Sequence, residues 1–122
     1  MSERKVTFTR EQIAAYAEAS GDRNPIHLDD EFARSVGLPG RILHGLYSMA
    51  QVARAHTAAA GGDPRALRRL SVQFRGLGFP EQEIVVTATV READDGRLVT
   101  DTVAAQGDNQ IIRNAEAELE VS

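Results

Sequence analysis

A chain of 122 residues with 14 Lys and Arg against 18 Asp and Glu has a formal charge of −4, which gives no electrostatic basis for general nucleic-acid binding. The absence of cysteine excludes disulfides, thiolate metal ligands and a cysteine nucleophile. Hydrophobic residues at 42% and charged residues at 26% predict one globular domain over residues 1–122, of a size that gains stability from oligomerisation.

Residues 1–10 are polar and lack the apolar region of a signal peptide. Val6 and Phe8 alternate with polar neighbours and predict a brief strand. Thr9 and Gln12 have capping-box spacing, and Ile13, Tyr16 and Ala17 then follow the pattern of a helix with one buried face. Gly21 suits the position just past that helix. A second short helix is expected from about Asp29, because Asp29, Asp30 and Glu31 complement a helix N-terminus, and Gly37 and Pro39 stop it. The longest helix is expected over Leu43 to Ala60, with Leu46, Met49, Ala50 and Ala53 at core spacing and Gly61-Gly62 beyond. His44, Ser48, Gln51, Arg54 and His56 interrupt that stretch, so it does not read as a membrane span, and the expected location is cytoplasmic.

From Leu70 onward the period changes to two. Val72 and Phe74 alternate with polar residues, and Ile84, Val86, Ala88 and Val90 share a face. A further strand covers Leu98 to Ala105. In the last one, Ala115, Ala117, Leu119 and Val121 alternate with Asn114, Glu116, Glu118 and Glu120. Asp94-Asp95-Gly96 and Gly107-Asp108-Asn109 carry the residues of hairpin turns. The predicted class is α+β, an antiparallel sheet with one main helix against its dry face.

Two segments carry chemistry. In Ser20-Gly21-Asp22-Arg23-Asn24-Pro25-Ile26-His27, Asp22 and His27 are spaced wrongly to face each other on a helix or a strand. A bent loop held by Pro25 and Asn24 would aim both side chains at one point. A carboxylate and an imidazole that share a water can move protons near neutral pH. Composition alone leaves that reading beside the more common one, an Asx turn with a surface histidine. In Arg41-Ile42-Leu43-His44-Gly45-Leu46, Gly45 opens the main helix, where a free N–H can stabilise charge on a carbonyl oxygen. Tight helix packing explains the same glycine equally well.

The run SGDRNPIH, followed by Asp29, Ala33, Gly37 and then ILHG, resembles the MaoC-like dehydratases, which include (R)-specific enoyl-CoA hydratases and 3-hydroxyacyl-ACP dehydratases. The likeness runs from about Thr9 to Val90. It implies a hot-dog fold, with an antiparallel sheet wrapped around a long central helix. It also implies a hydro-lyase acting on acyl-CoA or acyl-carrier-protein thioesters, without metal or other cofactor. By the resemblance, Asp22 and His27 are the acid–base pair, with Asn24 beside them, and Gly45 presents its N–H to the thioester carbonyl. Leu46 and Arg41 complete the expected substrate contacts. A homodimer is expected, with a heterodimer as the alternative. Some relatives carry a serine where this chain has Ala53, and Ser48 is not taken as its replacement. The turn Phe79-Pro80-Glu81-Gln82-Glu83 also departs from the family pattern.

The other polar residues invite blander readings. His44 is expected to orient backbone and His56 to be solvated, and the three histidines lack metal-ligand spacing. Tyr16 and Tyr47 read as core residues with satisfied hydroxyls. Arg65, Arg68 and Arg69 suit CoA phosphates, an acidic carrier protein or a solvated face, and Arg41 shares that ambiguity. Two other functions compete: a non-catalytic acyl-binding or stabilising hot-dog subunit, and a hot-dog thioesterase. Loss of Asp22 or His27 would mark the former, yet both are present. Leu43 to Ala60 lacks the acidic residue expected of the latter.

Overall fold

The computed structural model describes residues 2–121. Strands β1 (Ser2–Thr7), β2 (Leu67–Phe74), β3 (Glu83–Asp94), β4 (Arg97–Gln106) and β5 (Asn109–Glu120) form an antiparallel sheet in the order β1-β3-β4-β5-β2. Helices α1 (Arg10–Ser20) and α2 (Asp30–Ser35) lie in the segment that leads to α3 (Gly45–Ala58). Helix α3 packs on the inner face and meets all five strands. This is the hot-dog architecture. Ile84, Val86 and Ala88 from β3, Ala104 from β4, and Ile112 and Ala115 from β5 close over Val52 and Ala55 of α3. Among the described residues, no helix is long and apolar enough to cross a membrane.

The local signals act where expected. Thr9 caps α1 reciprocally with Gln12, and Gly21 ends it at φ 80°. Asp29 caps α2 by accepting the N–H groups of Glu31 and Phe32. Asp95-Gly96 and Gly107-Asp108 turn the two hairpins, with positive φ at both glycines.

Helix α3 differs from expectation in its limits and in its buried face. Leu46 and Ala50 point to solvent, and the buried set is Ser48, Gln51, Val52, Ala55, His56 and Thr57. Gln51 and His56 occupy the inside because their partners are on the sheet, whereas Thr57 bonds back to the Arg54 carbonyl of its own helix. His56, expected to be solvated, is fully buried, with Nδ1 bonded to the Thr100 hydroxyl and Nε2 2.9 Å from that of Thr102. Burial, partly offset by the Asp101 charge, pushes its pKa down to about 4, so it is neutral near pH 7. Gln51 accepts a bond from Arg4 of β1.

The sheet departs from strict alternation at several positions, including the consecutive buried pairs Val99-Thr100 and Ile111-Ile112. Val90 is exposed, where β3 shifts register between Val90 and Glu92. Phe74, at the end of edge strand β2, is exposed as well. Tyr16 and Tyr47 stack on each other and Tyr47 on Phe8. Both are half-buried, and their expected hydroxyl bonds are not made to any described residue.

Candidate active site

The loop between α1 and α2 is shaped by short polar side chains that bind backbone two residues away. The Ser20 hydroxyl accepts the Asp22 N–H, Asp22 Oδ1 accepts the Asn24 N–H, and Asn24 Oδ1 accepts the Ile26 N–H. Pro25 then fits the first position of a 3₁₀ turn that ends at His27. Asn24 is thus the cap that sets this turn.

The loop is clamped to the segment entering α3. The Ile42 N–H donates to the Ile26 carbonyl at 3.1 Å, and His27 Nδ1 donates to the Ile42 carbonyl at 2.8 Å. A carbonyl only accepts, so Nδ1 carries the proton of the neutral ring and Nε2 presents its lone pair. Arg41 Nε donates to the His27 carbonyl, while the Arg41 N–H donates to Asp30, whose other oxygen pairs with Arg10. Arg41, expected at the substrate, has its Nε committed to holding the histidine backbone.

His27 Nε2 lies 3.7 Å from Asp22 Oδ2, with the imidazole buried and the carboxylate 53% exposed. That gap is too long for a direct hydrogen bond, and one oxygen about 2.8 Å from each atom would bridge it. Asp22 and His27 therefore converge.

His44 supports both. Its Nε2 donates to the Asp22 carbonyl at 3.0 Å, and its ring stacks on His27 with centroids 3.8 Å apart and planes 22° apart. Burial first, and then the neighbouring His27, hold its pKa below the usual histidine value despite opposing pulls from Asp22. The backbone-orienting role expected of His44 matches this arrangement, although its full burial was not expected. Its Nδ1 is buried without a partner among the described residues.

Asp22, His27 and His44 also bring a carboxylate and two imidazoles within 4.8 Å of one another, the kind of group that can bind a cation. Here the two rings are nearly parallel, and each has a nitrogen committed to a carbonyl. An ion in the plane of one ring would lie off the plane of the other, which is poor geometry for joint ligation.

A cavity of about 230 Å³ opens beside His27 and runs to Gly45. Its other walls are largely apolar, including Ile42, Leu43, Phe74, Leu77 and Ile112, with Ser48 as a polar group. Gly45 is the first residue of α3, so its N–H has no acceptor within the helix and shares the positive end of the dipole. A Cβ there would approach the Phe74 ring at 3.2 Å, so the glycine also keeps the mouth open. Leu46 is exposed next to it, and its side chain is not in the cavity wall. Asp22 is likewise outside the wall, at the edge beyond His27. Ala53 does not line the cavity, whereas Ser48 does.

The basic cluster is already neutralised. Arg65 pairs with Asp63, Arg68 with Glu120 and Arg69 with Glu116.

A hot-dog sheet around one helix, with a histidine and a helix-start glycine facing one apolar cavity, defines a class. Within it the chain belongs to the family of MaoC-like domains, whose profile matches residues 1–111. It is 38% identical over 110 residues to the fatty acid synthase subunit beta of Aspergillus oryzae, a match covering 88% of this chain and 5% of that protein. It is also 38% identical over 103 residues to the enoyl-CoA hydratase ChsH3 of Mycobacterium tuberculosis, covering 83% of this chain and 35% of that protein. The chain thus spans only a small part of these relatives. Among solved structures, a MaoC-like dehydratase superposes with a TM-score of 0.93 at 26% identity, over 100% of this chain and 39% of that one. The R-hydratase PhaJ1 from Pseudomonas aeruginosa superposes with a TM-score of 0.85 at 25% identity, over 98% and 78%.

Proposed function

We propose that this protein is a hydro-lyase that adds water to trans-2-enoyl thioesters and, in reverse, dehydrates (R)-3-hydroxyacyl thioesters. The observation that carries the reading is the pairing of His27 Nε2 with Asp22 Oδ2 at 3.7 Å, on the edge of a cavity that reaches Gly45. His27 and Asp22 hold one water, and His27 Nε2 takes its proton as the oxygen bonds to Cβ. Electron density moves to the thioester oxygen, where the Gly45 N–H and the α3 dipole stabilise it. The enolate collapses as Cα takes up the proton that His27 gained from the water, which restores the base and completes the addition of water. The Ile42 carbonyl keeps His27 in the tautomer that can act as a base.

The apolar walls suit an acyl chain, and the family and the hydratase relative point to the same chemistry. The protein acts as a dimer, a reading supported by Leu46, Phe74 and Leu77, which leave an apolar surface exposed near the cavity mouth.

The test is to supply purified protein with trans-2-enoyl-CoA while following both the conjugated enoyl absorbance and free thiol. Loss of absorbance without thiol release is the expected result. Thiol release would indicate a thioesterase, and no change in either would indicate a non-catalytic subunit.

A further inference from the structure

The cavity, at about 230 Å³, accommodates the reacting end of a thioester and leaves the far end of the carrier outside. A second depression of about 370 Å³ adjoins it, because Gly76 forms part of both walls. Arg75 and Arg113 line this groove with Asn109, Gln110 and Asp108. The two arginines differ from their neighbours on the sheet. Arg68, Arg69, Arg91 and Arg97 each pair with carboxylates, whereas Arg75 and Arg113 make no ion pair among the described residues. Asp108 offsets one of the two charges, leaving the groove net positive.

The groove wall is built closely. The Arg75 N–H bonds to the Ile111 carbonyl, and Asn109 Nδ2 donates to the Leu77 carbonyl at 2.6 Å. At Gly76 a Cβ would lie 2.5 Å from Asn109 Oδ1 and 2.7 Å from the Gln110 carbonyl oxygen, so the chain passes too close there for any side chain.

We infer that Arg75 and Arg113 form the subsite for the phosphate groups of CoA, and so select a CoA thioester for the adjoining cavity. The inference rests on the hydratase reading for its ligand but stands on different residues. Guanidinium groups match phosphate oxygens in geometry and charge, and these two lack internal carboxylates to displace. The Arg65, Arg68 and Arg69 cluster, which the sequence offers for the same task, would first have to break its own pairs.

The experiment is calorimetric titration of the wild type and of the double variant Arg75→Ala/Arg113→Ala with CoA and with adenosine 3′,5′-bisphosphate. Both ligands should bind the double variant about tenfold or more weakly, with partial recovery in the double lysine variant. Asp108→Asn should tighten both, a change in the opposite direction that damage to the fold would not produce. In kinetics, the preference for enoyl-CoA over the phosphate-free enoyl-pantetheine thioester should fall by a similar factor in the double alanine variant. Equal affinities in wild type and double variant would overturn the inference, as would a wild type that prefers carrier-protein thioesters and ignores CoA. Because the titration needs no turnover, an absence of hydratase activity would bear on the proposed reaction and leave this reading to be decided separately.

Discussion

At the scale of single residues, Gly45 offers a clean separation of fold from chemistry. Alanine is the better helix former, and the nearest obstacle to its methyl is the Phe74 ring, which is itself exposed. Gly45→Ala should therefore melt at or above the wild-type temperature while crowding the thioester carbonyl, lowering kcat/KM by about tenfold to a hundredfold. Calorimetry and steady-state rates on one preparation check both halves, and wild-type turnover would show that nothing approaches this backbone. His44 makes the complementary case. Removing its ring frees the Asp22 carbonyl and takes away the surface on which His27 stacks. His44→Ala should lower kcat more than it raises KM, since it disturbs the proposed base rather than the cavity walls. Asp22, His27 and Gly45 are singled out in the sequence by the resemblance of their segments to the MaoC-like dehydratases, because a proline-bent polar loop and a glycine at a helix start read equally well as an Asx turn and a packing contact. His44 and His56 did not reveal their environments, because a buried histidine looks like a solvated one until its partners are placed.

At the scale of elements, Gln106 shows how a strand end holds the site. Its amide nitrogen donates to the Phe79 and Gln82 carbonyls, and its oxygen accepts the Phe79 N–H at 2.9 Å. This secures the loop after β2, whose Gly78 carbonyl in turn accepts the Leu43 N–H just before α3. Gln106→Ala leaves three backbone groups without this partner, and a loss of about 1–3 kcal/mol is expected in urea unfolding. A change below experimental error would mean that solvent replaces these bonds freely. The strands and hairpins were readable from their alternation and turn residues, and α1 and α2 from their caps. The inward face of α3 was not, since hydrophobic spacing favoured Leu46 and Ala50 over Ser48, Gln51 and His56. Apolar periodicity carries no record of a sheet that supplies Thr100 and Thr102 to a helix.

At the scale of the molecule, the buried histidine links stability to acidity. His56 has a folded pKa of about 4, below its unfolded value, so the unfolded chain binds the proton more readily. Its contribution is present in full above roughly pH 6.5 and is lost as pH falls towards 4, amounting to roughly 3 kcal/mol. His44 is depressed in the same direction and adds to the effect. Melting temperature should thus decline through this interval, with a shallower decline in His56→Gln, and a flat wild-type profile would contradict the assignment. Light scattering should give a dimer, because the apolar surface near the cavity mouth is otherwise exposed, and an active monomer would exclude that assembly. The proposed hydration depends on one water held by two groups. It is tested most directly by a double-mutant cycle in kcat for enoyl-CoA hydration, using Asp22→Asn, His27→Ala and both together. Each single change should reduce kcat about a hundredfold or more, and the double variant should fall little below the worse single one. Losses that multiply would contradict the account, because they would mean that the carboxylate and the imidazole act on separate steps.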